Sequence, residues 1–155
     1  MCCRRANIAD SNSAASTPIR GDNMLPNEIE DEIRSLAHKS QMKFRMACII
    51  LSDGDIVGTG YNKPLAPVLL RGKGFRSLHA EMEAMKNMMG VYMEGKRKLA
   101  GAEKEMYVVR VRPDGSFGNA KPCSRCLAHI KNLGWGIRKV IYTNERGEFE
   151  TIIVP

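Results

Sequence analysis

The chain has 155 residues, 43% of them hydrophobic, and a formal net charge of +7, which is the size and apolar content of one globular domain. No apolar run approaches the roughly 18–20 residues of a membrane helix, and no apolar h-region stands near the start, so neither a helical span nor a secretory signal is expected. Five cysteines, an odd number with two of them in a Cys-x-x-Cys pair, point to reduced thiols in a cytoplasmic or nuclear setting and to metal binding rather than a disulfide framework.

Residues 1–23, rich in Ser, Asn, Ala and Asp without periodicity, read as a disordered leader. Cys2-Cys3-Arg4-Arg5 has the form of a lipidated cysteine beside basic residues, whereas myristoylation is excluded because Cys2 stands where glycine is required. Pro26-Asn27-Glu28-Ile29-Glu30 opens a helix, with proline in the first turn and acids facing the positive helix end. Ile29, Ile33, Leu36 and Ala37 recur at helical spacing and form its buried face, while His38 near the end reads as a surface or capping residue.

Met46 to Leu51 is a continuous apolar run, Ser52-Asp53-Gly54-Asp55 a turn and Ile56 to Tyr61 a second strand. Together they predict a β-hairpin whose first strand is central, with Cys48 a small buried hydrophobe. After Asn62 comes a purely basic stretch, +4 over 63–78 from Lys63, Arg71, Lys73 and Arg76, which reads either as a solvated loop or as a funnel for an anionic substrate. A Met-rich helix from His79 is expected to stop near Gly90, with 90–104 as an inserted loop. Glu105 to Arg112 is the third strand, and Pro113-Asp114-Gly115 ends it. Cys123 to Leu133 is a helix with Leu127, Ile130 and Leu133 on its apolar face, and Arg138 to Thr143 is the fourth strand.

Beyond Thr143 too few residues remain for a parallel crossover, so the strand-like Glu148 to Val154 is expected to pair antiparallel with strand four. This order predicts an α/β fold, a three-layer α-β-α sandwich with a mixed five-stranded sheet whose last two strands are antiparallel.

Two stretches carry chemistry. Cys123 and Cys126 place two soft ligands within reach of one metal, after Pro122 at a helix start where the dipole favours thiolates. Alone, the pair also suits a four-ligand structural site or a redox site. A structural site wants a second close pair, for which Cys2, Cys3 and Cys48 are badly placed, and a thioredoxin-like motif belongs early in a βαβ unit. With His79 the count reaches three, the number expected when zinc keeps one position open for water. Glu81, two residues beyond, is free to act on that water's proton, while Glu83 is expected at the surface.

His79-Ala80-Glu81 followed by Pro122-Cys123-Ser124-Arg125-Cys126 resembles the signature of zinc-dependent cytidine and deoxycytidylate deaminases. The resemblance covers about residues 26–154, making 24–155 the deaminase domain, and the element order looks like the cytidine deaminase-like fold. It implies that His79, Cys123 and Cys126 bind zinc and that Glu81 shuttles protons. It further implies that Asn62 contacts the sugar and that the Ala80 backbone amide meets the base. The implied reaction is hydrolytic deamination of a cytosine nucleoside or nucleotide, CMP or dCMP, with release of ammonia. A histidine ligand resembles the deoxycytidylate, tRNA-adenosine and polynucleotide branches, whereas the final antiparallel hairpin looks more like free-nucleoside cytidine deaminases, which usually have Cys at that position.

The basic 63–78 stretch favours a phosphate-bearing small molecule. Arg110, Arg112, Lys121 and Arg125 raise the alternative of a cytosine- or adenine-deaminating enzyme acting on nucleic acid. Sparse aromatic residues, 6%, speak against it, and Phe75 and Trp135 read first as packing. A zinc-stabilised binding module without catalysis is the third reading, and Glu81 has no use in one. The resemblance also implies a homo-oligomer, a dimer or tetramer.

Overall fold

The computed structural model describes residues 25–65, 77–95, 102–133 and 135–155. The leader over 1–23, the residues Arg71, Lys73, Phe75 and Arg76, and part of the stretch expected as an insertion lie outside the described residues. In chain order the elements are α1 (Asn27–His38), β1 (Arg45–Ser52), β2 (Asp55–Tyr61), β3 (Lys63–Pro64), β4 (Ser77–Leu78), α2 (Ala80–Met93), β5 (Lys104–Val111), β6 (Phe117–Gly118), α3 (Ser124–Leu133), β7 (Ile137–Thr143) and β8 (Phe149–Ile153). No helix among the described residues is long and apolar enough to cross a membrane.

The main sheet runs β2-β1-β5-β7-β8, with the short β6 beside β5. Only β5 and β7 are parallel; every other pairing is antiparallel, including β7 with β8, which only a short turn connects. The β1–β2 tip places Asp53 and Gly54 at φ 52° and 83°, the mirror-image turn that matches the twist of a tight hairpin.

Side-chain alternation divides the core in two. Tyr107, Val109 and Val111 of β5 face α1, where Ile29, Ile33, Leu36 and Ala37 are buried as their spacing predicts. Met106 and Val108 face α2 and α3, with Cys48, Ile50, Ala84, Met88 and Ile130. Each fully covered aliphatic side chain contributes about 2 kcal/mol of transfer free energy. Helices on both faces make the three-layer sandwich.

Several expectations are corrected. α2 runs through Gly90 to Met93 and ends where Gly95, at φ +72°, takes the left-handed position beyond the cap; a mid-helix glycine costs only about 1 kcal/mol, too little to stop a packed helix. Leu133 is 44% exposed, because α3 ends there and its last turn projects past the core. Glu83 is buried rather than at the surface, for a reason that belongs to the site.

α2 lies directly on the backbone of β2. A Cβ on Gly60 would fall 2.5 Å from the Ala80 carbonyl oxygen and 2.6 Å from the Ala84 nitrogen, and one on Gly58 would fall 2.5 Å from the Ala84 carbonyl oxygen. Gly60→Ala should therefore lower the urea midpoint by the equivalent of about 3 kcal/mol, since helix backbone and not a flexible tip must move. Gly90→Ala, with nothing within 4 Å of the added carbon, should raise it by about 0.5–1 kcal/mol. Equal shifts for the two variants would contradict the close packing.

Candidate metal centre

His79 is the N-cap residue of α2, in extended conformation at φ −75° and ψ 150°, and its carbonyl accepts the Glu83 N–H at 3.1 Å. The antiparallel pairing of β3 with β4, Lys63 opposite Leu78, fixes the strand that delivers it. Cys123 immediately precedes α3, its carbonyl accepting the Leu127 N–H at 3.0 Å, and Cys126 lies in the first turn. The approach to Cys123 is pinned from β7. The fully buried Thr143 hydroxyl donates to the Gly118 carbonyl at 2.6 Å, and the Thr143 carbonyl accepts the Ala120 N–H at 2.7 Å.

Two helix N-termini thus converge, and their positive ends favour anions between them. Nδ1 of His79 is 3.3 Å from Cys126 Sγ and 3.7 Å from Cys123 Sγ. The ligand atoms of His79, Cys123 and Cys126 all lie within 4.8 Å of one another. One imidazole nitrogen and two sulfurs form a donor set suited to zinc. Glu81 is 2% exposed, and burial pushes its carboxyl up. Burial and then the neighbouring Glu81 and Cys123 push the Cys126 thiol up. Burial, followed by Glu81 and Cys126, does the same to Cys48 beneath them. Packing a carboxylate and two potential thiolates this closely is costly without a cation, and a divalent ion held by the cluster offsets that cost. The residues therefore fit zinc.

Asn62 is 7% exposed and tightly held. Its Oδ1 accepts the Met46 N–H at 2.9 Å and the Ser40 hydroxyl at 2.7 Å, which fixes the amide orientation. Its Nδ2 donates to the Phe44 carbonyl at 2.7 Å, leaving a second N–H with no acceptor among the described residues. The Ala80 amide belongs to the first turn of α2, where backbone N–H groups have no partner within the helix.

No motif in the sequence marks Ser40 or Phe44, and Glu83, expected at the surface, is instead a buried part of the site. Glu83 accepts the Tyr61 N–H at 3.0 Å and pairs with Lys63, whose ammonium that bond raises in pKa and which also stands 4.6 Å from the Tyr61 ring centroid. It ties residues 61–63 to α2. The signal available for it was its spacing, one turn after His79, which places both on the same side of the helix. Phe44 stood in the sequence as an aromatic residue between Lys43 and Arg45 at the start of a strand. Of the basic residues considered, Arg112 braces turns, donating to the Glu145 carbonyl at 2.6 Å and the Ser116 hydroxyl at 3.3 Å. Trp135 packs against the core as expected.

Residues 28–144 match the family model for the cytidine and deoxycytidylate deaminase zinc-binding region. No curated protein matches the chain. A solved cytidine deaminase from Burkholderia pseudomallei is similar with a TM-score of 0.58 at 19% sequence identity, over 84% of this chain and 94% of that one. The dCMP deaminase of the cyanophage S-TIM5 gives 0.46 in its apo form, at 21% identity over 78% of this chain and 86% of that one. The same enzyme in complex with dCMP and dUMP gives 0.46 at 19% identity, over 79% and 85%. The first of these likenesses shows a shared cytidine deaminase-like fold.

The purified protein should carry about one zinc per chain by elemental analysis, with His79→Ala or Cys126→Ala bringing it near zero. Chelation should lower the melting temperature by about 5 °C or more, and zinc should restore it. Unchanged zinc content in both variants would remove the cluster from consideration.

Proposed function

The chain belongs to the cytidine and deoxycytidylate deaminase zinc-binding family, and from that premise we propose that it is a zinc-dependent hydrolase converting a cytosine nucleoside or nucleotide to its uracil form with release of ammonia. The observation that carries the reading is the position of Glu81. It is a buried carboxylate two residues from His79, close enough to the Cys126 thiol for the two to influence each other's ionisation, and it is not one of the three clustered ligands. A site that only held the fold together would have no use for it.

In this reading His79, Cys123 and Cys126 hold the metal. Zinc there would act as a Lewis acid, making a strong nucleophile of water near neutral pH. Glu81 takes a proton from the water as its oxygen bonds to C4 of cytosine, and passes that proton to N3. Glu81 then moves the remaining hydroxyl proton to the amino group, the C4–N bond breaks and ammonia leaves. The water oxygen becomes the uracil carbonyl, so atoms balance without another reactant. The Ala80 amide, at the positive end of α2, meets the polar edge of the base, and the second N–H of Asn62 Nδ2 meets a sugar hydroxyl. Both donors belong to buried residues, where exclusion of water strengthens them.

The test is a panel of cytidine, deoxycytidine, CMP, dCMP, guanine, adenosine and single-stranded oligonucleotides, read by ammonia release from zinc-loaded protein. Turnover is expected for at least one cytosine monomer, and Glu81→Ala should cut it by about 10³-fold or more while zinc stays near one per chain. Undiminished turnover in that variant would sink the proton-transfer role. Turnover confined to oligonucleotides would replace the reading with deamination in nucleic acid, and no turnover at all would leave a zinc-binding module.

A further inference from the structure

Along β5, Met106 and Val108 face the core beneath α2 and α3, and Arg110 is the next residue in that row. Its cross-strand neighbour on β1 is Met46, one step outward from the Cys48–Val108 pair on the same face. Cys48 lies within electrostatic reach of Glu81 and Cys126, so the row leads outward from the metal centre, and Arg110 stands where it leaves the core.

The guanidinium carbon of Arg110 is 4.0 Å from the Phe44 ring centroid, and that ring is 49% exposed. The Phe44 carbonyl accepts from Asn62 Nδ2, one hydrogen bond that joins the stack to the proposed sugar contact, and Met46, the cross-strand neighbour of Arg110, donates its N–H to Asn62 Oδ1. Lys43 Nζ is 5.6 Å from the same ring centroid. Four cations of the described surface are paired with acids, Arg34 with Glu30, Lys63 with Glu83, Lys139 with Glu105 and Arg146 with Glu148, and of these Lys63 is the one next to Asn62. Among the described residues, no carboxylate pairs with Arg110 or Lys43.

We propose that Arg110, held against Phe44 and supported by Lys43, determines specificity by binding the phosphate of a nucleoside monophosphate substrate. Stacking uses the face of the guanidinium and leaves its edge, a planar fork of N–H donors, free for two phosphate oxygens. A half-buried guanidinium with its plane already fixed loses little freedom on binding and meets less screening than an exposed lysine. The inference rests on the deaminase reading and narrows its substrate from nucleoside or nucleotide to nucleotide.

The experiment compares kcat/KM for dCMP and deoxycytidine in the zinc-loaded wild type and in Arg110→Ala, Arg110→Gln and Arg110→Lys. Calorimetric affinities for the products dUMP and deoxyuridine supply a readout without turnover, and melting temperatures check folding. The wild type should favour dCMP. That preference should fall by about 10–100-fold in the Ala and Gln variants, the scale of a lost hydrogen bond to a charged group, and Lys should retain much of it. The dUMP-to-deoxyuridine affinity ratio should fall in parallel. A preserved ratio in the Ala and Gln variants overturns the assignment, as does an equal loss in the Lys variant, which would indicate shape rather than charge. A wild type active on monomers without phosphate preference overturns this inference alone. A wild type active on no cytosine monomer overturns the deaminase reading and this inference with it.

Discussion

The contact on which the site depends is that of α2 with the bare backbone of β2. At Gly58 and Gly60 the helix sits so close that any side chain would meet its carbonyl and amide groups. That approach sets the height of the α2 N-terminus above the sheet and hence the position of His79, Ala80 and Glu81. α3 comes to the same face by another route, through Thr143 of β7, whose hydroxyl and carbonyl hold residues 118–120 just ahead of Cys123. Neither half of the cluster is made by its own helix alone. The sheet carries the information about distance, and the two helices carry the ligands.

Electrostatics then explain why the cluster must contain more than protein. Two helix N-termini supply partial positive charge, worth typically 0.3–1 kcal/mol each at exposed sites, against a buried carboxylate and two sulfurs. Burial opposes ionisation of Glu81 and Cys126, as the direction of both shifts records. A zinc ion reverses that balance by favouring thiolates in the same volume. Metal binding and formation of the α2–β2 and α3–β7 contacts are therefore coupled: each makes the other less costly.

Much of this was legible in the residues. Spacing in α1, the apolar run of β1, the turn at Asp53-Gly54 and the turn at 144–147 each have local causes, and the antiparallel β7–β8 pairing follows from the short link between the two strands. The ligand motifs could be read because metal chemistry restricts residue type and spacing. What could not be read depends on partners distant in sequence. Glu83 looks like any solvated helix residue until Tyr61 and Lys63 are brought against it. The end of α2 was misplaced because Gly90 carries the signal of a stop without the left-handed conformation, which belongs to Gly95. Leu133 kept the period of a core position after the core had ended. Asn62 was marked by its place after β2, but its fixed orientation comes from Phe44, Met46 and Ser40, which no local pattern connects to it.

The rim of the site shows two ways of placing a cation, with different consequences. Lys63 is neutralised by Glu83, a buried acid, so its charge serves to hold residues 61–63 against α2 and projects little field outward. Arg110 has a ring in place of an acid, and an aromatic face orients a guanidinium while leaving its full charge in place. Asn62 stands between these two arrangements. It follows Tyr61, whose amide Glu83 binds, and it hydrogen-bonds the backbone of Phe44, on whose ring Arg110 stacks. The sugar contact proposed for Asn62 and the phosphate contact proposed for Arg110 thus share one scaffold, as the adjacent parts of a nucleotide require.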